Sequence, residues 1–106
     1  MNVYFMVAKN QTKRLLKIGK ANDPARRLKQ IQVGCPYRIT LFSVIHCRSD
    51  QHAFAVEKAA HEVFKNKRCR NNGEWFRFTK DVQSEVSRFC EIAGSKESAC
   101  LSGILS

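Results

Sequence analysis

The chain begins with two segments of alternating polarity, Val3-Tyr4-Phe5-Met6-Val7 and Leu15-Leu16-Lys17-Ile18-Gly19. This alternation is typical of half-buried strands, so residues 3–8 and 14–19 are predicted to form an antiparallel hairpin. If residues 9–12 form its loop, Tyr4 lies opposite Lys17 and shares a face of the sheet with it. Gly19 is expected to end the second strand in a tight turn. The predicted core face carries Val3, Phe5, Val7, Leu16 and Ile18.

A short basic helix is predicted directly after the hairpin. Asp23 is a good N-cap, and Pro24 is a good first helical residue because its missing amide N–H needs no partner there. Gly34 is a good stop, so the helix is predicted over residues 23–33. Its predicted inner side chains are Leu28 and Ile31, and its predicted outer cations are Arg26, Arg27 and Lys29.

A third strand is predicted over residues 37–47, which are rich in β-branched and aromatic side chains. Apolar residues on both of its faces predict a central strand that is covered on both sides. One face would carry Ile39, Leu41 and Ile45, and the other Phe42 and Val44. Residues 75–78 form either a short strand or an extended packing segment.

Two further amphipathic helices complete the predicted fold. The first begins at Ser49 or Asp50 and continues to about Asn66, and the second covers residues 81–93, with a linker after Gly94. The expected architecture is therefore α/β (α+β), with a small mixed or antiparallel three-stranded sheet flanked by three helices. Residues 1–93 would form this single domain, and residues 94–106 a tail. The predicted core positions of the two helices are Ala53, Val56, Ala60, Val63 and Phe64, and then Val82, Val86, Phe89, Cys90 and Ile92.

The composition excludes disorder and membrane spans. Hydrophobic residues make up 43 % of the 106 residues, enough for one modest core. No apolar run approaches the ~18 residues of a membrane span, and no signal peptide is visible, so we expect a cytoplasmic protein. The five cysteines have no CxxC spacing, which favours free thiols. A zinc site from Cys47, His61 and Cys69 is less favoured, because zinc ligands usually come in closely spaced pairs.

The charge is concentrated in the first three quarters of the chain. Residues 1–79 contain 16 Lys and Arg against 5 Asp and Glu, whereas residues 80–106 contain 3 against 4. A polyanionic partner is the natural inference, although a basic ribosome-like or membrane-surface protein would show a similar balance. The expected nucleic-acid contacts are Lys20, Arg26, Lys29, Lys67, Arg68 and Arg70, together with Lys9, Lys13 and Arg14.

Glu57 stands out because it falls inside the apolar arc of the second helix. At about 100° per residue it lies beside Phe64, and His61 follows one turn later on the same side. A lone buried carboxylate is costly, so Glu57 needs a partner. That partner is either an arginine of the core or a divalent cation. His61 would relay a proton or orient water, or would be a satisfied core side chain.

These residues together resemble the GIY-YIG endonuclease family. Val3-Tyr4 stands where the first family motif ends in tyrosine, and Lys17-Ile18-Gly19 where the second reads Tyr-Ile-Gly. Arg27 and Glu57 stand at positions suitable for the family's arginine and metal-binding glutamate. More specifically, the chain is similar to the phage-associated T5orf172 branch over roughly residues 2–79. The motifs that carry this similarity are Lys-Ile-Gly-Lys-Ala-x-Asp-Pro-x-x-Arg, a later Glu-x-x-x-His, and Gly73-Glu74-Trp75-Phe76.

The resemblance implies a metal-dependent endonuclease that hydrolyses phosphodiester bonds in DNA. Glu57 would bind Mg²⁺ or Mn²⁺, since magnesium often takes one or two carboxylates plus substrate oxygens. Arg27 would hold the scissile phosphate with its planar guanidinium. Tyr4 would activate the attacking water. A free phenol is a poor base at neutral pH, so Lys17, Lys20 and Arg27 would favour its phenolate form.

Two departures from the family pattern leave alternatives open. Lys17 replaces the tyrosine of the second motif, which implies either altered chemistry or a member that binds without cutting. The late asparagine of the family has no clear match, although Asn71, Asn72 and Glu74 lie near its expected position. The alternatives are a catalytically inactive nucleic-acid-binding module of the same fold and a basic structural or interaction protein. A domain of this size would nick one strand at a time unless it forms a homodimer.

Overall fold

The computed structural model describes residues 1–67 and 75–97. In chain order the elements are β1 (Asn2–Lys9), β2 (Arg14–Ala21), α1 (Pro24–Val33), β3 (Arg38–His46), α2 (Asp50–Val63), a short 3-10 helix (Lys65–Lys67), β4 (Trp75–Arg77) and α3 (Lys80–Glu97). The strands form one antiparallel sheet in the order β3-β1-β2-β4. The predicted α+β class is confirmed. The sheet has four strands where three were predicted, because residues 75–77 pair with β2.

The hairpin loop consists of residues 10–13, one residue later than predicted. Asn10 Oδ1 accepts hydrogen bonds from the backbone amides of Thr12 at 2.9 Å and Lys13 at 2.7 Å. A side chain that bonds the backbone in this way stabilises a local turn. The turn lets Lys9 pair with Arg14, and the register of the whole hairpin follows from this pair.

The predicted pairing of Tyr4 with Lys17 was therefore wrong. Tyr4 lies opposite Gly19, and Lys17 lies opposite Met6. A displacement of two residues keeps every side chain on its predicted face, because the side-chain period of a strand is two. Gly19 does not end β2, which continues to Ala21.

β3 lies at one edge of the described sheet and not at its centre. Its register against β1 shifts by one residue, so that Phe42 is skipped between the pairs formed by Leu41 and Ser43. Such a bulge exchanges the two faces of the strand from that point on. Ile39 consequently packs on the α1 side of the sheet and Ile45 on the opposite side, although both were predicted on one face.

α1 covers one face of the sheet and begins and ends as predicted. Asp23 Oδ1 accepts from the Arg26 amide at 3.2 Å, Pro24 is the first helical residue, and Gly34 is the C-cap. Because Asp23 immediately follows β2 and Asn22, the first turn of α1 lies near the end of β2. Leu28 and Ile31 pack against a cluster that contains Tyr4, Met6, Ala8 and Ile39.

α2 and α3 cover the opposite face. Ser49 Oγ accepts from the His52 amide at 3.1 Å, which makes Ser49 the N-cap of α2. Two residues that were predicted to lie in the core are exposed instead, Val63 at 53 % and Ile92 at 61 %. α3 continues to Glu97 and so includes residues that were predicted to form a linker after Gly94. In the part of the chain that the structure describes, no helix combines the length and apolar character that crossing a membrane requires.

Candidate active site

The Tyr4 ring extends across the hairpin onto Gly19. A Cβ atom built on Gly19 would lie 2.6 Å from Tyr4 Cζ and still closer to the hydroxyl oxygen, a distance that real Cβ atoms do not tolerate. Glycine is needed here for space and not for a turn, since no described glycine has a positive φ. The missing side chain of Gly19 therefore lets the phenol cross β2.

The hydroxyl of Tyr4 is a buried polar group without a protein partner among residues 1–67 and 75–97. The residue as a whole is only 3 % exposed. A buried hydroxyl that stays unpaired costs about 1–3 kcal/mol, and buried tyrosines usually place this group on a partner or in water. The position suits a hydroxyl that binds a water molecule or a substrate oxygen at β2.

His61 closes the edge of β2 just before Gly19. In the described residues β4 pairs only with Leu15–Lys17, and beyond that point His61 Nε2 lies 3.2 Å from the carbonyl oxygen of Ile18. A carbonyl can only accept, so Nε2 carries the proton and donates it. The imidazole also packs against the Phe76 ring in a T-shaped arrangement, with 5.2 Å between centroids. The bond restricts any proton transfer by His61 to its other ring nitrogen.

A second contact joins α2 to the same edge, just after Gly19. Lys20 Nζ lies 5.0 Å from the centroid of the Phe54 ring. His61 thus contacts the residue before Gly19, and Phe54 contacts the residue after it. Glu57 lies between these two anchors on α2, about one helical turn from each. From this spacing we infer that Glu57 lies on the side of α2 that faces the edge of β2 around Gly19.

Glu57 fits a hydrated divalent cation. The carboxylate is half-buried and has no hydrogen bond or ion pair with the described residues, so the predicted core arginine is not found among them. The described residues hold no group of three or more His, Cys, Asp or Glu that suits a metal. Magnesium retains several waters and needs only one or two carboxylates with substrate oxygens. A single half-buried carboxylate is thus a suitable ligand for Mg²⁺ or Mn²⁺ and a poor one for zinc.

Lys17 is buried on the same face as Tyr4, two residues before Gly19. It is 6 % exposed, and its Nζ lies 5.3 Å from the centroid of the Trp75 ring. The indole face is a favourable environment for an ammonium. Lys17 therefore stands next to the Tyr4 phenol diagonally across the strands, and not directly opposite it as predicted.

Arg27 lies in the first turn of α1, near the end of β2. Its side chain is exposed, and Nη1 donates a long hydrogen bond of 3.4 Å to Gln30 Oε1 on the same helix. The described contacts do not join Arg27 to Tyr4 or Glu57. The structure therefore places Arg27 near this end of the sheet, whereas Tyr4 contacts Gly19 and His61 contacts the neighbouring Ile18.

The predicted cationic contacts fall into two groups. Arg26 and Lys29 are exposed on α1, and Lys20 is exposed at the end of β2. The second group, Lys9, Lys13 and Arg14, is exposed at the opposite end of the hairpin. The Lys9–Arg14 pair is five ladder positions from the Tyr4–Gly19 pair, or about 17 Å along the strand. Lys67 is half-buried, and Arg68 and Arg70 lie outside the described residues, as do Cys69, Asn71, Asn72 and Glu74.

Two features of the site were missed at the level of sequence. The packing of Tyr4 on Gly19 depends on the hairpin register, which the Asn10 turn determines. Phe54 lies outside the apolar stripe of α2 and was not considered. Its position three residues before Glu57 was the available signal, because residues three apart lie on the same side of a helix.

Comparison with known proteins identifies a family for most of the chain. A family model described as the T5orf172 domain matches residues 1–91. No curated protein and no solved structure matches the chain. The matched range contains every residue of the candidate active site and the whole described sheet.

Proposed function

The chain belongs to the T5orf172 domain family, and we propose that it is a metal-dependent endonuclease that hydrolyses phosphodiester bonds in DNA. The observation that carries the proposal is the position of the Tyr4 hydroxyl over Gly19, with α2 contacts on the residues before and after this glycine and Glu57 between those contacts on the helix. The resemblance of the motifs to GIY-YIG endonucleases supports the same function. The net charge of +10 supports a polyanionic substrate.

Each residue at this edge has a distinct role in the proposed reaction. The Tyr4 hydroxyl orients the attacking water by a hydrogen bond, which satisfies its own buried oxygen. Arg27 exchanges its weak bond to Gln30 for the substrate phosphate, for which its planar guanidinium is suited. The water oxygen bonds to phosphorus while the bond from phosphorus to the leaving sugar oxygen breaks. The water proton is released to solvent, and the leaving oxygen takes one up.

Glu57 would hold the cation beside the substrate phosphate. A bound Mg²⁺ or Mn²⁺ would supply positive charge for the phosphate oxygens and lower the pKa of a bound water. His61 fixes α2 against β2 through Ile18, and so positions the Glu57 carboxylate. Lys17 adds positive charge on the Tyr4 side of the strand.

The proposal is tested with supercoiled plasmid in the presence of Mg²⁺ or Mn²⁺. Wild type should nick the plasmid, whereas Glu57→Gln and Arg27→Gln should bind DNA with little or no nicking. The control is Glu62→Gln on the same helix, because the Glu62 side chain is 71 % exposed and pairs with Lys65 at 2.9 Å. This variant should cut like wild type. If wild type binds the plasmid but cuts it with neither Mg²⁺ nor Mn²⁺, the catalytic proposal is refuted.

The buried position of Lys17 favours a second candidate function, that of a module of the same fold that binds nucleic acid without cutting it. The ammonium is buried against Trp75, where the resemblance places a catalytic tyrosine. A binding module would show salt-dependent affinity for DNA that does not respond to divalent metal. Nicking by Lys17→Tyr but not by wild type would support this candidate and identify Lys17 as the cause of the lost activity.

A further inference from the structure

Phe54 is a large aromatic side chain that the fold leaves exposed next to the candidate active site. It is 52 % exposed, whereas its neighbour Ala53 on the same helix is fully buried. It lies about one helical turn before Glu57, on the side of α2 that faces the end of β2. Its one described ring contact is the ammonium of Lys20 at 5.0 Å from the ring centroid. The ring is not packed in the core, so it is accessible to a ligand.

An exposed aromatic face with an ammonium beside it matches the chemistry of a nucleotide. A base stacks on the ring whatever its identity, because every nucleobase has a π-face. The ammonium of Lys20 is in reach of the phosphate of the same or the next nucleotide, and its long, flexible stem lets it leave the ring. Charge complementarity therefore favours a nucleic acid over an apolar protein segment as the occupant.

The base that stacks on Phe54 must be unpaired. In a duplex both faces of each internal base are covered by neighbouring bases, and exposing one costs a few kcal/mol. A single-stranded segment offers its base faces without that cost. We propose that Phe54 and Lys20 form a stacking site for an unpaired nucleobase, so that the chain prefers single-stranded segments or junctions of nucleic acid. The inference deepens the proposed function by naming the form of its substrate. It rests on that function only for the claim that the bound strand is also cut.

The test compares the affinity of the protein for labelled single-stranded DNA, single-stranded RNA and duplex DNA of one sequence, measured by fluorescence anisotropy in EDTA. Phe54→Leu keeps the apolar character and removes the ring, and Phe54→Trp retains a stacking face. We expect Phe54→Leu to weaken single-strand binding about tenfold, which corresponds to the stacking of one base, and Phe54→Trp to preserve it. Duplex binding should be unchanged in both. The DNA and RNA arms identify which single strand is preferred.

Phe42→Leu is the control, because Phe42 is also partly exposed, at 36 %, but lies on the edge strand β3, which β1 separates from β2, and its ring contacts Phe78. It should bind like wild type once a melting curve shows that it is folded. Equal single-strand affinity for wild type and Phe54→Leu would overturn the inference, as would an equal loss for single strand and duplex. Lack of single-strand binding by wild type would also overturn it. Because binding is measured without metal, these outcomes are distinct from the failure of plasmid nicking.

Discussion

The Tyr4 phenol occupies the space that a side chain at residue 19 would need, and Gly19 is its cross-strand partner. The observed position of the Tyr4 ring therefore requires glycine at residue 19. Any larger residue at position 19 must displace the ring, and with it the hydroxyl that we propose orients the attacking water. This dependence gives a direct test of the site geometry that does not require knowledge of the substrate.

We predict that Gly19→Ala destabilises the protein by about 1–3 kcal/mol, the usual cost of overpacking a dense core. The built Cβ overlaps the hydroxyl end of the Tyr4 ring, and this ring is only 3 % exposed, so it has little room to move aside. Gly34→Ala is the control, because a Cβ on Gly34 meets nothing within 4 Å. Urea denaturation monitored by circular dichroism measures both free energies of unfolding. Equal stability of the two variants would show that Tyr4 does not lie over Gly19.

The Tyr4→Phe variant should retain the fold and lose most of its nicking activity. The ring that fills the α1 face is retained, and the deleted hydroxyl has no protein partner among the described residues. The free energy of unfolding should therefore be unchanged or slightly higher, since an unpaired polar group is removed. The rate of nicking should fall about 100-fold, which is the order of loss expected when a reacting group is no longer held in position. Full activity of Tyr4→Phe would exclude Tyr4 from the reaction.

His61 should contribute mainly through its bond to the backbone of β2. His61→Ala removes the donor to the Ile18 carbonyl and the ring contact with Phe76, so we expect a loss of about 1–3 kcal/mol of stability. His61→Gln retains an N–H donor near the same place and should recover part of that loss. If the glutamine variant is stable and still cuts, His61 is a positioning residue. A stable variant without activity would assign the proton transfer to the imidazole.

Cys90 tests the packing of α3 and the pH dependence of the protein's stability. Burial raises the pKa of the Cys90 thiol, while a hydrogen bond with Ser43 of β3 acts in the opposite direction. The folded protein thus holds this proton more tightly than the unfolded chain. The resulting stabilisation is present below the pKa of the unfolded thiol and is lost as the pH rises through the raised value.

At mildly alkaline pH we expect iodoacetamide to modify Cys90 more slowly than Cys35 and Cys47, because the thiolate is the reactive form. Peptide mass spectrometry after a timed reaction resolves the three sites. Faster modification of Cys90 than of the other two would indicate that the side of α3 that carries Cys90 is not packed against the sheet.

Local sequence signals predicted the helix caps and the alternation of the hairpin correctly. Asp23, Pro24 and Gly34 determine α1 by hydrogen bonding and backbone geometry that involve only neighbouring residues. The faces of β1 and β2 also followed from alternation. The registers did not, because one depends on a side-chain bond of Asn10 in the loop and the other on the bulge at Phe42.

The candidate site was predictable in its parts but not in its arrangement. The position of Glu57 on the inner side of α2 followed from helical periodicity, and the half-buried carboxylate agrees with it. Its inferred position near Gly19 rests on contacts of His61 and Phe54 with β2, which join residues distant in sequence. Pattern arguments carry no information about such contacts, and this is also why Val63 and Ile92 were assigned to the core.

The most direct test of the account is whether a divalent cation binds beside Gly19. Mn²⁺ is titrated into ¹⁵N-labelled protein, and paramagnetic broadening of each backbone amide is measured by NMR. We predict that the amides of Gly19 and its two neighbours broaden first, that Glu57→Gln abolishes this broadening, and that Glu62→Gln leaves it intact. Broadening that is centred elsewhere, or that persists at Gly19 in Glu57→Gln, would contradict the proposed site.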